Sequence, residues 1–363
     1  MEKKYIIVKD QIKQWIVAGK YEPHEKLPTE SELMKQFDVS RHTVRRAISE
    51  LEIEQYVYKI QGGGMYISNW TEQQLPHTLE HQRTVAVLTT HISEYIFPKI
   101  ISGIEKELAA HDYSMLLTST QNNRELEQKN LANLLRTNLS GIIVEPTQSA
   151  LVSDNIGFYR NIVDTNMPCI MINGHLENIH VPYLVMDDVK GGRIGVEYLL
   201  TQGHTRILGI FKTDDVQGIH RMNGFTQAFQ QHTTASVGQF VAYSTNDTIE
   251  TIWQRIEPFL QLPKTQRPTA IFCYNDELAS NLMNVLVQKG FDVPNDFSLL
   301  GFDDASIAAL LTPSLTTIRH PQEEMGRQAA RKMIQLIEQR QVDNTIYEPQ
   351  LIVRQSVKDI SSL

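Results

Sequence analysis

The sequence predicts an α/β chain in two unequal parts, and three observations carry that expectation. A helix-turn-helix pattern followed by a glycine-tipped pair of β-rich runs fills residues 1–68. From Thr84 onward, short β-branched and aliphatic runs alternate with amphipathic segments, the rhythm of parallel sheets covered on both faces. Between the two, Asn69 to Arg83 (NWTEQQLPHTLEHQR) is polar, aperiodic and contains a proline, so 69–83 is the expected linker. The remaining 84–363 is long enough to bury one or two sizeable cores of its own.

In the N-terminal part, Thr29 is followed three places later by Glu32, the spacing of a capping box that satisfies orphan amides at a helix start. A helix is therefore expected from about Glu30, with Leu33 and Phe37 on one face. Asp38-Val39-Ser40 interrupts it, and Ser40 is a good N-cap for a second helix beginning at Arg41. Along that helix Val44, Ala47, Ile48 and Leu51 follow the spacing of a buried stripe, while Arg41, His42, Arg45 and Ser49 project from another side. Arginine pairs bidentately with the two major-groove acceptors of guanine, and a helix N-terminus suits phosphate. A solvated charged face is the alternative meaning of the same pattern. Tyr56 to Ile60 and Met65 to Ile67 then read as two short strands joined by Gln61-Gly62-Gly63-Gly64, which makes the unit a winged helix-turn-helix. A tip without bulky side chains lets backbone approach the sugar-phosphate wall or the minor groove, so Gln61 to Gly64 is expected to touch DNA; a plain hairpin turn is the alternative.

Residues from about Tyr5 to Ser68 resemble the GntR-family DNA-binding domain, with LPTESEL, VSRHTVRRAI and GGGMYI in the places of its signature. The resemblance implies contacts to double-stranded operator DNA from Lys4, Lys26, Glu30, Arg41, His42, Thr43, Arg45 and Gly63. Charge agrees only locally. Residues 1–70 hold eleven basic and ten acidic side chains, a net +1, whereas the rest hold 23 and 32, a net −9. Any basic surface is thus gathered on one face of the head.

Several classes of function find no support. The start has no apolar stretch of signal-peptide length and no window reaches the ~18 apolar residues of a membrane span, so a cytoplasmic protein is expected. Cys169 and Cys273, the only cysteines, lie 104 positions apart and form neither a metal clip nor a disulfide framework; two buried thiols are expected. No GxSxG, HExxH, P-loop or clustered metal-ligand spacing occurs. Gly191-Gly192-x-x-Gly195 resembles a dinucleotide loop weakly, but it follows Asp187-Asp188 rather than a tight strand turn. Neither an enzyme, a metal nor a cofactor is expected.

In the larger part the apolar runs TVAVLTT, SMLLTS, GIIVEP, CIMING, RILGIF, TAIFCY and FSLLGF end in polar residues: Thr89-Thr90, Glu145, Asn173-Gly174, Lys212, Asn275-Asp276 and Asp303-Asp304. Ligands of open α/β sheets bind beyond the carboxyl ends of strands. VMDDVKGGRIGVEYLLTQGHTRILGI, RMNGF, PTAIFCYNDELASNLMNVLVQKGFDVPNDFSLLGFDDA and LTTIRHPQEEMGRQAA are similar in order and spacing to the LacI/GalR effector domain, itself built like periplasmic sugar-binding proteins. This implies two Rossmann-like subdomains joined by three crossovers, one at about 84–176 plus 307–338 and the other at about 177–306 plus 339–363, with the effector between them. A GntR-type head on such a sensor, with HISEYIFPKIISGIE, YSMLLTST, GIIVEPTQSAL, DDVKGG and YEPQLIVRQS along it, resembles the arabinose-responsive repressors of Gram-positive bacteria. That resemblance implies a homodimer that represses arabinose uptake and catabolism genes and is released by L-arabinose. Another sugar or a corepressor on the same architecture is the alternative.

A pentose presents hydroxyls around its edge and weakly polar C–H faces, so its site needs bidentate polar partners and aromatic rings. Arg221 opens RMNGF, where the family pattern has an arginine pairing with two sugar hydroxyls; a helix salt bridge is the alternative. Asn275 and Asp276 of YNDE follow a strand, and Asp276 can accept from two hydroxyls or serve only as a helix cap. Tyr95, Phe97 and Lys99 fall in the loop that lines the cleft in this family, although aromatics near a strand end are commonly core. Glu145 is a candidate hydroxyl acceptor or else a solvated loop carboxylate, and Asn173 ends its strand in the same way. His175, Asp187 and His320 carry weaker signals, because a lone histidine near a strand end is more often structural; of these His320 is kept as a candidate.

Overall fold

In the computed structural model, which describes residues 4–17, 20–53, 56–60, 63–68, 83–231 and 236–362, the chain falls into two units, Met1–His81 and Gln82–Leu363. In the first, Val8, Ile12 and Ile16 recur every four residues along α1 (Lys4–Val17) and are all buried. Helix α2 (Glu30–Phe37) starts as its spacing predicts: the Thr29 hydroxyl accepts from Glu32 N–H, and the Glu32 carboxylate accepts from Thr29 N–H at 2.7 Å. It stops at Asp38, whose φ of 49° is left-handed. Ser40 Oγ accepts from Thr43 N–H at 3.3 Å, and α3 (Arg41–Ile53) buries Val44, Ala47, Ile48 and Leu51. Strands β1 (Val57–Ile60) and β2 (Gly64–Ile67) pair antiparallel, and Gly63 N–H closes their turn on Ile60 O at 2.9 Å. The segment before α2 joins β2 from the other side, with Leu27 N–H on Met65 O and Ile67 N–H on Glu25 O, both 2.9 Å.

The second unit begins with β3 (Thr84–Thr89), α4 (Phe97–Ala109), β4 (Ser114–Ser119), α5 (Arg124–Leu134), β5 (Gly141–Val144), α6 (Ile156–Asp164), β6 (Cys169–Ile172) and β7 (Tyr183–Met186). It continues through α7 (Asp188–Thr201), β8 (Arg206–Lys212), α8 (Val216–Gln231), β9 (Val237–Tyr243), α9 (Ile249–Leu260), β10 (Ala270–Cys273), α10 (Asp276–Gln288), β11 (Ser298–Asp303) and β12 (Thr316–Arg319). Helix α11 (Gln322–Ile337) and β13 (Thr345–Tyr347) return to the first subdomain, and β14 (Gln350–Ile352) to the second. The two six-stranded sheets run β4-β3-β5-β6-β7-β13 and β9-β8-β10-β11-β12-β14. All neighbours are parallel except β14, which lies antiparallel to β12. Parallel strands buried on both faces explain the unbroken apolar runs.

The subdomain boundaries expected from the sequence need correction. Strand β7 pairs with β6 in the first sheet, so that subdomain does not end at 176. Strand β12 pairs with β11 in the second sheet, so the return is not at 307, and β13 belongs to the first sheet rather than the second. The crossovers fall at Asp187, at His320-Pro321 and at Glu348-Pro349. Sheet membership of such short strands depends on which sheet edge is free to pair, and no local pattern records that.

Gly191, Gly192 and Gly195 lie inside α7 and form a packing surface, not a phosphate loop. A Cβ on Gly192 would stand 2.2 Å from the Arg221 carbonyl, and one on Gly224 1.9 Å from that of Val189, so α7 and α8 meet backbone to backbone. Cys169 and Cys273 are buried free thiols, as expected, and burial pushes Cys169 up to about 12. Among the described residues no helix is long and apolar enough to cross a membrane.

Gly192→Ala should lower stability by about 1–3 kcal/mol through overpacking against Arg221. Gly157→Ala, where an added Cβ meets nothing within 4 Å in α6, should be neutral or stabilising by up to about 1 kcal/mol. Urea unfolding followed by circular dichroism compares the two.

Candidate functional site

On the head, Arg41, His42 and Arg45 are exposed along α3. Glu30 of α2 accepts from Arg41 Nε at 3.1 Å and from Arg45 Nε at 2.9 Å. One carboxylate thus sets the direction of two guanidinium groups that are themselves 61% and 64% exposed, leaving their outer N–H groups to a partner. Thr43 shares a 2.9 Å hydrogen bond with Ser40. Lys26 passes over the wing, where a Cβ on Gly64 would come within 2.7 Å of its Cε; Gly63 lies in the turn, and Lys4 is exposed at the start of α1. Gln61 lies outside the described residues.

In the second unit a cavity of about 180 Å³ opens between the sheets. A cavity of roughly 150 Å³ admits benzene, so this one suits a ligand of monosaccharide size. The first subdomain lines it with Thr90, Tyr95, Phe97, Glu145 and Asn173, and the second with Asp188, Lys212, Asp215, Arg221, Tyr274, Asn275 and Asp303. His320, on the second crossover, completes the wall. Tyr95, Asn173 and Asp303 have φ of 57°, 61° and 100°, backbone that non-glycine residues adopt only where the surroundings over-determine it.

Arg221 is 4% exposed. Its Nε donates to Asp188 at 2.8 Å, one terminal nitrogen to Tyr274 O at 2.7 Å and the other to Asp303 at 3.1 Å, and the guanidinium lies 3.6 Å from the Phe302 ring centroid. Burial opposes its charge, but Asp303 and Asp188 more than compensate and hold the guanidinium above its ordinary value. Burial pushes Asp188 up to about 7, with Arg221 pulling the other way. From the opposite subdomain the Tyr95 hydroxyl donates to Asp303 at 2.6 Å and accepts from Asp276 N–H at 3.1 Å. Lys212 pairs with Asp215 at 3.2 Å and Asp214 at 3.6 Å, and the Tyr274 hydroxyl donates to Asp215 at 2.7 Å.

A second network lies across the cavity. Glu145 accepts from Thr90 N–H at 3.0 Å, from the Thr90 hydroxyl at 2.7 Å and from Asn173 Nδ2 at 2.9 Å. His320 Nε2 stands 3.2 Å from Asn173 Oδ1. Burial pushes the His320 ring down to about 4, so it is neutral at pH 7. Its Nδ1 and the Oε1 of Gln217 are buried without a hydrogen-bond partner, open valences at the cavity wall. The rim is closed by Asn122 Nδ2 on Thr245 at 2.7 Å and Val216 N–H on Ser149 at 3.1 Å.

The structure brings Tyr95, Phe97, Glu145, Asn173, Arg221, Asn275 and His320 together. It does not bring Lys99 or Asp276. Lys99 follows Phe97 by two positions on α4 and points to solvent, because residues two apart on a helix face different ways. Asp276 is wholly buried behind the wall, its carboxylate accepting from Thr317 Oγ1 at 2.6 Å and Ala305 N–H at 2.8 Å; the cap of α10 is Asn275. Sequence reasoning missed Asp188, Asp215 and Tyr274, and noted Lys212 and Asp303 only as strand ends. Asp188, the first residue after a crossover, was marked by Asp-Asp beside the glycine run.

Residues 4–67 match the family of bacterial regulatory proteins, gntR family, and residues 196–357 match the periplasmic binding protein-like domain. The chain is 45% identical over 361 residues to an arabinose metabolism transcriptional repressor of Geobacillus stearothermophilus, covering 98% of each chain. It is 41% identical over 370 residues to one from Halalkalibacterium halodurans, covering 100% of this chain and 98% of the relative. The chain belongs to the family of arabinose metabolism transcriptional repressors. Among solved structures, the transcription regulator CcpA of Lactococcus lactis aligns with a TM-score of 0.67 at 21% identity, over 76% of this chain and 99% of that one. A LacI family regulator from Enterococcus faecium, with bound ribose, gives 0.64 at 24%, over the same shares. These two place the second unit in the fold that the sequence predicted. The relatives are regulators and not enzymes.

Arg221→Ala strips the partner from two buried carboxylates and should lower stability by about 3–5 kcal/mol, read from urea denaturation.

Proposed function

We propose that this chain is a homodimeric DNA-binding repressor of arabinose uptake and catabolism genes whose winged heads leave a palindromic operator when L-arabinose fills the cavity of the second unit. The observation that carries the reading is the cavity itself. Its wall presents six carboxylates (Glu94, Glu145, Asp188, Asp215, Glu277 and Asp303) against two cations, Lys212 and Arg221, both already paired with acids. Such a wall offers acceptors to hydroxyl protons and repels phosphate or carboxylate ligands. Tyr95, Phe97 and Tyr274 supply the rings for C–H faces. Identity at 45% to an arabinose metabolism repressor along nearly the whole chain supports L-arabinose as the neutral polyol.

Two-fold symmetry in the protein matches two half-sites in the DNA. A sugar bonded to both subdomains favours one relation between them, and the dimer transmits that preference to the spacing of the heads; such couplings amount to ~1–3 kcal/mol, roughly 5–150-fold in affinity.

Fluorescence anisotropy of labelled operator should report release by L-arabinose and not by D-xylose, D-galactose, D-ribose or a phosphorylated pentose. Release by none of them, or by the phosphorylated sugar, contradicts the reading. Arg45→Ala should weaken operator binding by ~1–3 kcal/mol and relax discrimination at one base pair, while calorimetry shows L-arabinose still bound; unchanged specific binding would remove α3 as the reading face.

A further inference from the structure

Thr90, Glu145, Asn173 and His320 form an unbranched hydrogen-bond chain from the loop after β3 to the second crossover. Three donors converge on Glu145, two from Thr90 and one from Asn173. Burial raises the Glu145 carboxyl, but the two donors from Thr90 and the one from Asn173 work against that shift and favour the charged, acceptor-only form. Asn173 accordingly turns its amino group to Glu145. That leaves its amide oxygen facing His320 Nε2. An oxygen cannot donate there, so Nε2 carries the single proton of the neutral ring. Nδ1 is then a bare lone pair, buried and unpartnered on a side chain that is 5% exposed in the cavity wall.

We propose that the Thr90-Glu145-Asn173 relay locks the His320 imidazole with Nδ1 as an acceptor-only edge toward the cavity, so that the effector must bring a hydroxyl proton to the second crossover. This rests on reading the cavity as the sugar site. Asn173 and Glu145 are positioning residues that act through His320. An effector with fluorine, an ether or a carbonyl oxygen at this position sets lone pair against lone pair and is rejected, a discrimination that a freely rotating hydroxyl in the wall cannot make. The bond falls on the crossover between β12 and α11, one of the segments that join the two subdomains.

Nitrogen-15 NMR on the effector-free full-length protein tests the relay, with the ring signals assigned as those lost in His320→Gln. The expected result is Nδ1 in the unprotonated range and Nε2 in the protonated range. In Glu145→Gln the amide can present either end to Asn173, and the His320 signals should move toward a mixture of tautomers. The opposite tautomer in the wild type, or an unshifted spectrum in Glu145→Gln, overturns the inference. Calorimetry with deoxy and deoxyfluoro derivatives of L-arabinose provides the second reading. At one hydroxyl the fluoro compound should bind as weakly as the deoxy compound, both roughly tenfold or more below L-arabinose, with the gap narrowing in Glu145→Gln. Fluorine that restores binding at every position overturns it. Failure of L-arabinose itself to bind refutes the proposed function, and the NMR arm still decides the relay.

Discussion

Arg221 sits almost fully enclosed between Asp188 and Asp303, flat over Phe302 and bonded to the carbonyl of Tyr274. A buried cation is tolerated only when every donor finds a partner, because the desolvation of each ion costs several kcal/mol. That requirement reaches far into the fold. Asp188 lies just past the first crossover, Tyr274 directly follows β10, Asp303 ends β11, and Arg221 itself rides on α8, which the missing side chain of Gly192 lets close against α7. Four separate elements are therefore held in register by one guanidinium. Asp303 also accepts from Tyr95 of the other subdomain, so the same charge network spans the cleft.

The two units divide their electrostatics. The head carries a small positive balance with Arg41 and Arg45 aligned by a single carboxylate, whereas the rest of the chain is strongly acidic. Net charge alone says little about DNA binding, since the phosphate field answers to local cations. In the second unit, the cavity wall carries more carboxyl groups than cations, the feature on which the proposed preference for a neutral hydroxyl-bearing ligand rests.

Much of this was legible in the sequence, and the reasons for the remainder are physical. Capping at Thr29, the stripe of α3 and the seven apolar runs are local patterns, and each became the element it predicted. Strand β9 escaped because an edge strand half exposed to solvent lacks a continuous apolar run, with Val237 and Phe240 about half exposed. Strands β7, β12, β13 and β14 are three or four residues long and take their sheet from distant partners. In the site, polar residues at strand ends marked the right face of each sheet, but depth was hidden. Asp276 and Asn275 are adjacent, yet one turns behind the wall and the other lines it. Asp188 and Asp303 stand beside other acids in the sequence, and their pairing with Arg221 is set by the tertiary fold.

Under the proposed function the effector cavity and the DNA-reading heads share one free energy. Linkage makes that claim reciprocal: whatever factor the sugar removes from operator affinity, the operator must remove from sugar affinity. The decisive measurement is the dissociation constant of L-arabinose by calorimetry, with the protein free and with the protein saturated by operator duplex. The account predicts weaker binding in the complex, by the same roughly 5–150-fold factor by which the sugar weakens operator binding. Equal affinity in the two states, alongside operator release by the sugar, would contradict it.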